Sequence, residues 1–135
     1  MTEAQCNAVR QILEASPRGE FHHGDCIGAD AEAHDIARAL GYRIVMHPPI
    51  NQSQRAFKSG DEERELLPYL DRNRRIVTET DALIAAPGEN IERLRSGTWS
   101  TVRYARRVGR SIYVVFPDGT NRPERASSSG KAGAS

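Results

Sequence analysis

Cys6, Val9, Ile12 and Leu13 recur at helical spacing behind a capping-box signature of Thr2 and Gln5, so the chain opens on a helix that the Ser16-Pro17-Arg18-Gly19 break closes. Residues 20–23 read as a short strand. From Gly28 the set Ala29, Ala33, Ile36, Ala37 and Leu40 makes a second helical face, ended by Gly41 as a C′ residue. Residues 43–47 form the next predicted strand, closed by Pro48-Pro49, and 50–60 a polar loop. Residues 61–67 and 70–80 read as helical segments separated by Pro68, and 81–86 as a strand of the buried type. After a loop over 87–96, a helix is predicted from about Thr98 to Val108, stopped by Gly109, and a last strand over 111–116.

Strands alternating with helices predict an α/β fold with a doubly wound, mostly parallel sheet. In such sheets ligands bind where strand ends meet helix starts. Two turns fit that description: His23-Gly24-Asp25-Cys26-Ile27-Gly28 and Arg95-Ser96-Gly97-Thr98. The length of 135 residues suits one domain, expected over 1–119 with a disordered tail over 120–135, where the sequence turns to Asn, Arg, Pro, Ser and Gly.

Composition narrows the function classes. Apolar residues make up 38% and the formal net charge is +1, which gives no ground for a general polyanion affinity. The longest apolar stretches fall far short of the ~20 residues of a membrane helix. The first residues lack the pattern of a signal peptide, so the expected location is the cytoplasm, with no membrane partner. Cys6 and Cys26 give no disulfide framework and are expected as reduced thiols.

Each candidate site has a plain structural alternative. Gly24 and Gly28 allow backbone close to a ligand, and the helix after Gly28 offers free N–H groups and its positive dipole end; a tight turn with no ligand would use the same residues. A metal reading would combine His23, Cys26 and His34, perhaps with His22. Cys26 lacks a second cysteine at ligand spacing, and His34 lies about 9 Å along its helix from Gly28 at ~1.5 Å per residue, so no metal is assigned and the histidines are read as packing or capping groups. Ser96-Gly97-Thr98 can grip phosphate or ribose oxygens, or be a simple N-cap. One arginine of Arg72-Asn73-Arg74-Arg75 can reach the same cleft as a phosphate fork, or the run can be a solvated face. Arg103, Arg106, Arg107 and Arg110 raise a nucleic-acid surface as a less favoured option, since the chain has no net basic charge beyond +1.

The ordered series His-Gly-Asp-Cys-Ile-Gly-Ala-Asp (23–30), His-Pro-Pro (47–49), Tyr-Leu-Asp-Arg-Asn-Arg-Arg-Ile-Val (69–77), Asp-Ala-Leu-Ile-Ala-Ala-Pro (81–87) and Arg-Ser-Gly-Thr-Trp-Ser-Thr-Val-Arg-Tyr-Ala-Arg (95–106) resembles the SLOG superfamily, and within it the small single-domain members. The resemblance covers nearly all of residues 2–119. It implies a Rossmann-like domain that binds nucleotides or nucleotide-derived ligands, as sensors or as enzymes, and some relatives bind single-stranded DNA. It also carries the option of a homodimer. The ligand-binding set it implies is Gly24, Asp25, Cys26, Gly28, Asp30, Arg72, Asn73, Ser96, Gly97, Thr98, Trp99 and Thr101, with no further cofactor. Trp99 would cover a base or pack beneath it.

Two departures from the family pattern shape the expectation. The Lonely Guy phosphoribohydrolases carry an Arg-Lys pair before the strand and a Gly-Thr-x-x-Glu turn after it. Here the arginine position falls on Arg72, with Asn73 in place of lysine, and the glutamate position falls on Thr101. A threonine cannot act as the carboxylate does at an oxocarbenium-like centre, so ligand binding leads and N-glycosidic cleavage is the alternative, with Arg72, Asp25 and Asp30 as catalytic candidates. Relatives also begin with a central β-strand ahead of the first helix. Without it, neighbouring strands keep unpaired backbone groups, so the reading expects a late start, a partner chain or a rearranged sheet to fill the gap.

Overall fold

The computed structural model describes residues 1–126. It is a mixed α/β structure with two three-stranded sheets, and among the described residues it has four α-helices: α1 (Glu3–Ala15), α2 (Ala29–Ala39), α3 (Tyr69–Thr78) and α4 (Gly97–Arg107). The strands are β1 (Glu20–His23), β2 (Arg43–Met46), β3 (Glu62–Glu63), β4 (Ala82–Ala85), β5 (Ser111–Val115) and β6 (Asn121–Glu124). One sheet has the order β1-β2-β3 and is parallel throughout; the other has the order β4-β5-β6, with β4 and β5 parallel and β6 antiparallel. None of these helices is long and apolar enough to cross a membrane.

The expected capping box is present: the Thr2 hydroxyl accepts from Gln5 N at 3.0 Å, and Gln5 Oε1 accepts from Thr2 N at 2.9 Å. Gln5 also ties α1 to the second sheet by donating Nε2 to the Pro87 and Val115 carbonyls. Val9 and Leu13 of α1 meet Ile36 and Ala37 of α2 over Ile44 and Met46 of β2. Along β5 the side chains alternate as a strand requires. Ile112 and Val114 pack with Val77, Trp99, Val102 and Ala105, while Val115 packs with Ala8 and Ile12 of α1. The second sheet thus carries helices on both faces.

Three expectations are corrected. Residues 61–67 form no helix. Glu62 and Glu63 pair in parallel with Val45 and Met46, the Asp61 carboxylate accepts from Ile44 N at 2.7 Å, and Arg38 holds the same carboxylate. The segment has no apolar stripe to bury, so the open edge of β2 decides its conformation. The tail does not begin at residue 120: Asn121–Glu124 is β6, held against β5, with Glu124 bound by Arg106. The rest of the expected tail, from 127, lies outside the described residues. The sheet is also not one continuous layer. β1 and β4 are each the edge of their own sheet, and both line one cavity of about 910 Å³.

Candidate functional site

The cavity between β1 and β4 opens among the turns that follow both strands and the start of α3. Gly24, Cys26 and Asp30 reach it from the first turn, Arg72 and Asn73 from α3, and Gly97, Thr98 and Thr101 from α4. The structure therefore brings together eight of the twelve residues expected to bind ligand.

Arg72 sits at the centre of this group. Its guanidinium is buried, with the residue 4% exposed, and it donates Nη1 to the Gly24 and His47 carbonyls, each at 2.9 Å, and Nε to Asn73 Oδ1 at 2.8 Å. All these partners are neutral, and no ion pair to Arg72 forms among the described residues. The Asp30 carboxylate acts on the guanidinium through space without pairing to it, and a buried cation that makes no direct ion pair favours an added anion. A Cβ on Gly24 would lie 2.3 Å from Arg72 Nη1, so any side chain there would push the guanidinium off the Gly24 and His47 carbonyls. The Cys26 thiol lies 3.9 Å from both terminal guanidinium nitrogens, and burial, followed by the Asp30 carboxylate, raises its pKa.

Asp30 lies in the first turn of α2 and accepts from Cys26 N at 3.2 Å. Burial is the main cause that raises its pKa above the ordinary carboxylate range, against the lowering effect of the Cys26 N–H and Arg72. The native state then holds the proton more tightly than the unfolded chain. Its contribution to stability is greatest below the unfolded value of about 3.9 and is lost as the pH rises through the folded one. Asp30→Asn removes that penalty. The variant is expected to gain urea resistance relative to the parent at pH 7 and not at pH 4; a difference independent of pH would contradict this reading of Asp30.

The remaining expected residues have other places. Gly28 is the N-cap of α2 with φ +102, a conformation that requires glycine, and it leaves the first N–H groups without a side-chain cap. Ser96 caps α4 by accepting from Trp99 N at 3.3 Å. Trp99 is 2% exposed and belongs to the core with Val102 and Ile112, so of its two expected roles the geometry gives packing. The Thr101 hydroxyl donates to the Gly97 carbonyl at 2.9 Å. Asp25 is fully buried at φ +50, accepts from Arg55 Nε at 2.9 Å and from Lys58 N at 3.0 Å, and does not line the cavity. Its carboxylate clamps the 51–58 loop.

The histidines bind one another. His23 Nε2 meets His34 Nδ1 at 2.9 Å and His23 Nδ1 accepts from Asp25 N, which fixes the turn; Cys26 bonds elsewhere. Burial, with His34 adding repulsion, lowers the His23 pKa to about 4. Tyr69 is the residue the sequence reading missed. Its hydroxyl fills the space a Cβ on Gly97 would take, its ring lies 5.2 Å from the Arg72 guanidinium, and the residue is 54% exposed. Its i,i+3 spacing to Arg72 was the available signal.

No protein-family model, curated protein or solved structure matches the chain.

Proposed function

We propose that the chain binds a phosphorylated, nucleotide-like small molecule in the cavity between β1 and β4. The observation that carries this reading is Arg72, buried, without an anionic partner, and set between the starts of α2 and α4. Phosphate would meet Arg72 and the Gly97-Thr98 turn, where helix N–H groups are free, and the Asp30 carboxylate would take ribose hydroxyls. A thermal-shift panel of nucleotides, NAD-derived molecules and cyclic nucleotides tests it, because a specific ligand raises the melting temperature by mass action.

A specific observation favours a second reading, cleavage at an N-glycosidic bond. Asp30 is a carboxylate on the cavity wall whose raised pKa suits a general acid, while Asp25 is sealed away and Thr101 offers only a hydroxyl. Release of free base from a bound nucleotide separates enzyme from sensor. For the nucleic-acid reading, Arg103 and Arg106 are paired with Glu92 and Glu124, and Arg110 donates to the Val77 and Thr80 carbonyls. Of the four arginines, Arg107 alone has neither a carboxylate nor a carbonyl partner among the described residues, and it sits on the Tyr104 ring, so most of the charge on that face is already engaged.

The Rossmann-like fold belongs to the same proposal. β1 and β4 face one cavity with their outer edges unpaired, and a parallel strand between them would join both sheets into one layer.

A further inference from the structure

We propose that His22, His47 and Glu79 form a site for a divalent transition-metal ion of the zinc type, on the wall of the cavity that Arg72 also lines but with different residues from the proposed phosphate site. The three residues come from β1, from the residue just after β2 and from the C-cap of α3, and among the described residues they are the one group of His, Cys, Asp or Glu side chains gathered at ligand distance. The separations are 2.9 Å for His22 Nδ1 to His47 Nε2, 3.8 Å for His22 Nδ1 to Glu79 Oε1, and 4.0 Å for His47 Nε2 to Glu79 Oε1. A triangle with those sides has a circumradius of about 2.1 Å, so one point lies at zinc–nitrogen and zinc–oxygen bonding distance from all three atoms.

The surroundings support the same assignment. His22 Nε2 meets Glu20 Oε1 at 3.0 Å; that carboxylate holds the proton on Nε2 and leaves the Nδ1 lone pair facing the other two ligands. His47 is fixed through its backbone, donating N–H to the His23 carbonyl at 2.8 Å and accepting from Arg72 at 2.9 Å. Glu79 Oε1 accepts from Arg64 Nε at 3.0 Å, which orients the carboxylate and leaves that oxygen a second lone pair. Arg75 holds the other oxygen at 2.7 Å. Glu20 and Glu79 place negative charge on either side of the site, and both arginines have further carboxylate partners in Glu62 and Glu65. Two histidines and one glutamate leave a fourth position for water, and His22 and Glu79 line the cavity, which gives an ion a route in.

Without the ion, the proton between the two imidazoles sits on His47 Nε2; coordination takes His47 in its Nδ1–H tautomer, one proton leaving Nε2 and one from solvent reaching Nδ1, so both imidazoles bind neutral and no net proton is released. The test is titration of tag-free, chelator-treated protein with cobalt(II), followed by displacement with zinc. One equivalent is expected to bind with the intense visible absorption of a four-coordinate cobalt centre, and zinc is expected to abolish it. Glu79→Gln, at a partly exposed position, is expected to lose at least tenfold in affinity, and Glu20→Gln, which touches no metal, ten- to hundredfold through the freed imidazole. His34→Gln serves as the control and is expected to keep the spectrum. Absence of the absorption in the folded parent protein would overturn the proposal, and so would equal affinity of parent and Glu79→Gln. None of these outcomes depends on the nucleotide reading.

Discussion

Arg72→Ala is expected to lower stability and remove phosphate affinity together. The Gly24 and His47 carbonyls lose their buried donor, at a cost on the order of 1–3 kcal/mol for each group left unsatisfied, and the α3 wall loses its tie to both turns. Because that variant is weakened as a whole, Arg72→Lys separates the two effects. It keeps the charge but lacks the planar fork that serves two carbonyls and an anion at once. Affinity for a phosphorylated ligand is expected to fall ten- to hundredfold in Arg72→Lys, the equivalent of about 1.4–2.8 kcal/mol, with a smaller loss of urea resistance than in Arg72→Ala. Unchanged affinity would mean that phosphate lies elsewhere.

Asp25→Ala is expected to produce a clear stability loss, on the order of 1–3 kcal/mol for the buried N–H left without an acceptor, with backbone strain adding to it. The substitution takes one of the two carboxylate partners of Arg55, leaving Glu63, removes the acceptor of the Lys58 N–H, and puts alanine at φ +50. Asp25→Asn keeps an acceptor for Lys58 and tolerates the left-handed backbone, so its loss is expected to be clearly smaller. Urea midpoints for the two variants check this. Equal losses would mean that charge pairing to Arg55 contributes nothing, and a neutral Asp25→Ala would remove the clamp altogether.

The elements that were legible in the sequence are those with a complete local pattern. α1 shows its capping box and its four-residue stripe, α2 its Gly41 stop at φ +86, and β5 its short β-branched and aromatic run after Gly109. Residues 61–67 were misread because a run of charges has no periodicity of its own, and pairing with β2 overrides weak local preference. β6 was missed for a similar reason. Asn-Arg-Pro-Glu has the composition of a tail, and only the Arg106–Glu124 pair and the edge of β5 make it a strand. Pro123 is tolerated there because β6 is an edge strand with a single neighbour.

In the site, the two glycine turns and Arg72 could be read from residue order, since strand ends and helix starts converge in any α/β arrangement. The direction of each side chain could not. Asp25 in the turn and Asp30 at the start of α2 are five residues apart, yet the carboxylate of Asp25, at positive φ, meets Arg55, while Asp30 turns back to Cys26 N beside Arg72. His22 and His23 are adjacent, and strand alternation puts them on opposite faces, one beside His47 and Glu79 and the other beside His34. The eye-catching histidine-rich stretch therefore divides between two separate networks.

The most direct measurement is calorimetric titration of the folded parent protein with matched pairs of nucleoside and nucleoside 5′-phosphate. The account predicts saturable binding of at least one phosphorylated member, loss of that binding without the phosphate, and a ten- to hundredfold weakening in Arg72→Lys. Binding of nucleoside and nucleotide with equal affinity, or binding of the phosphorylated compound unchanged in Arg72→Lys, would contradict it.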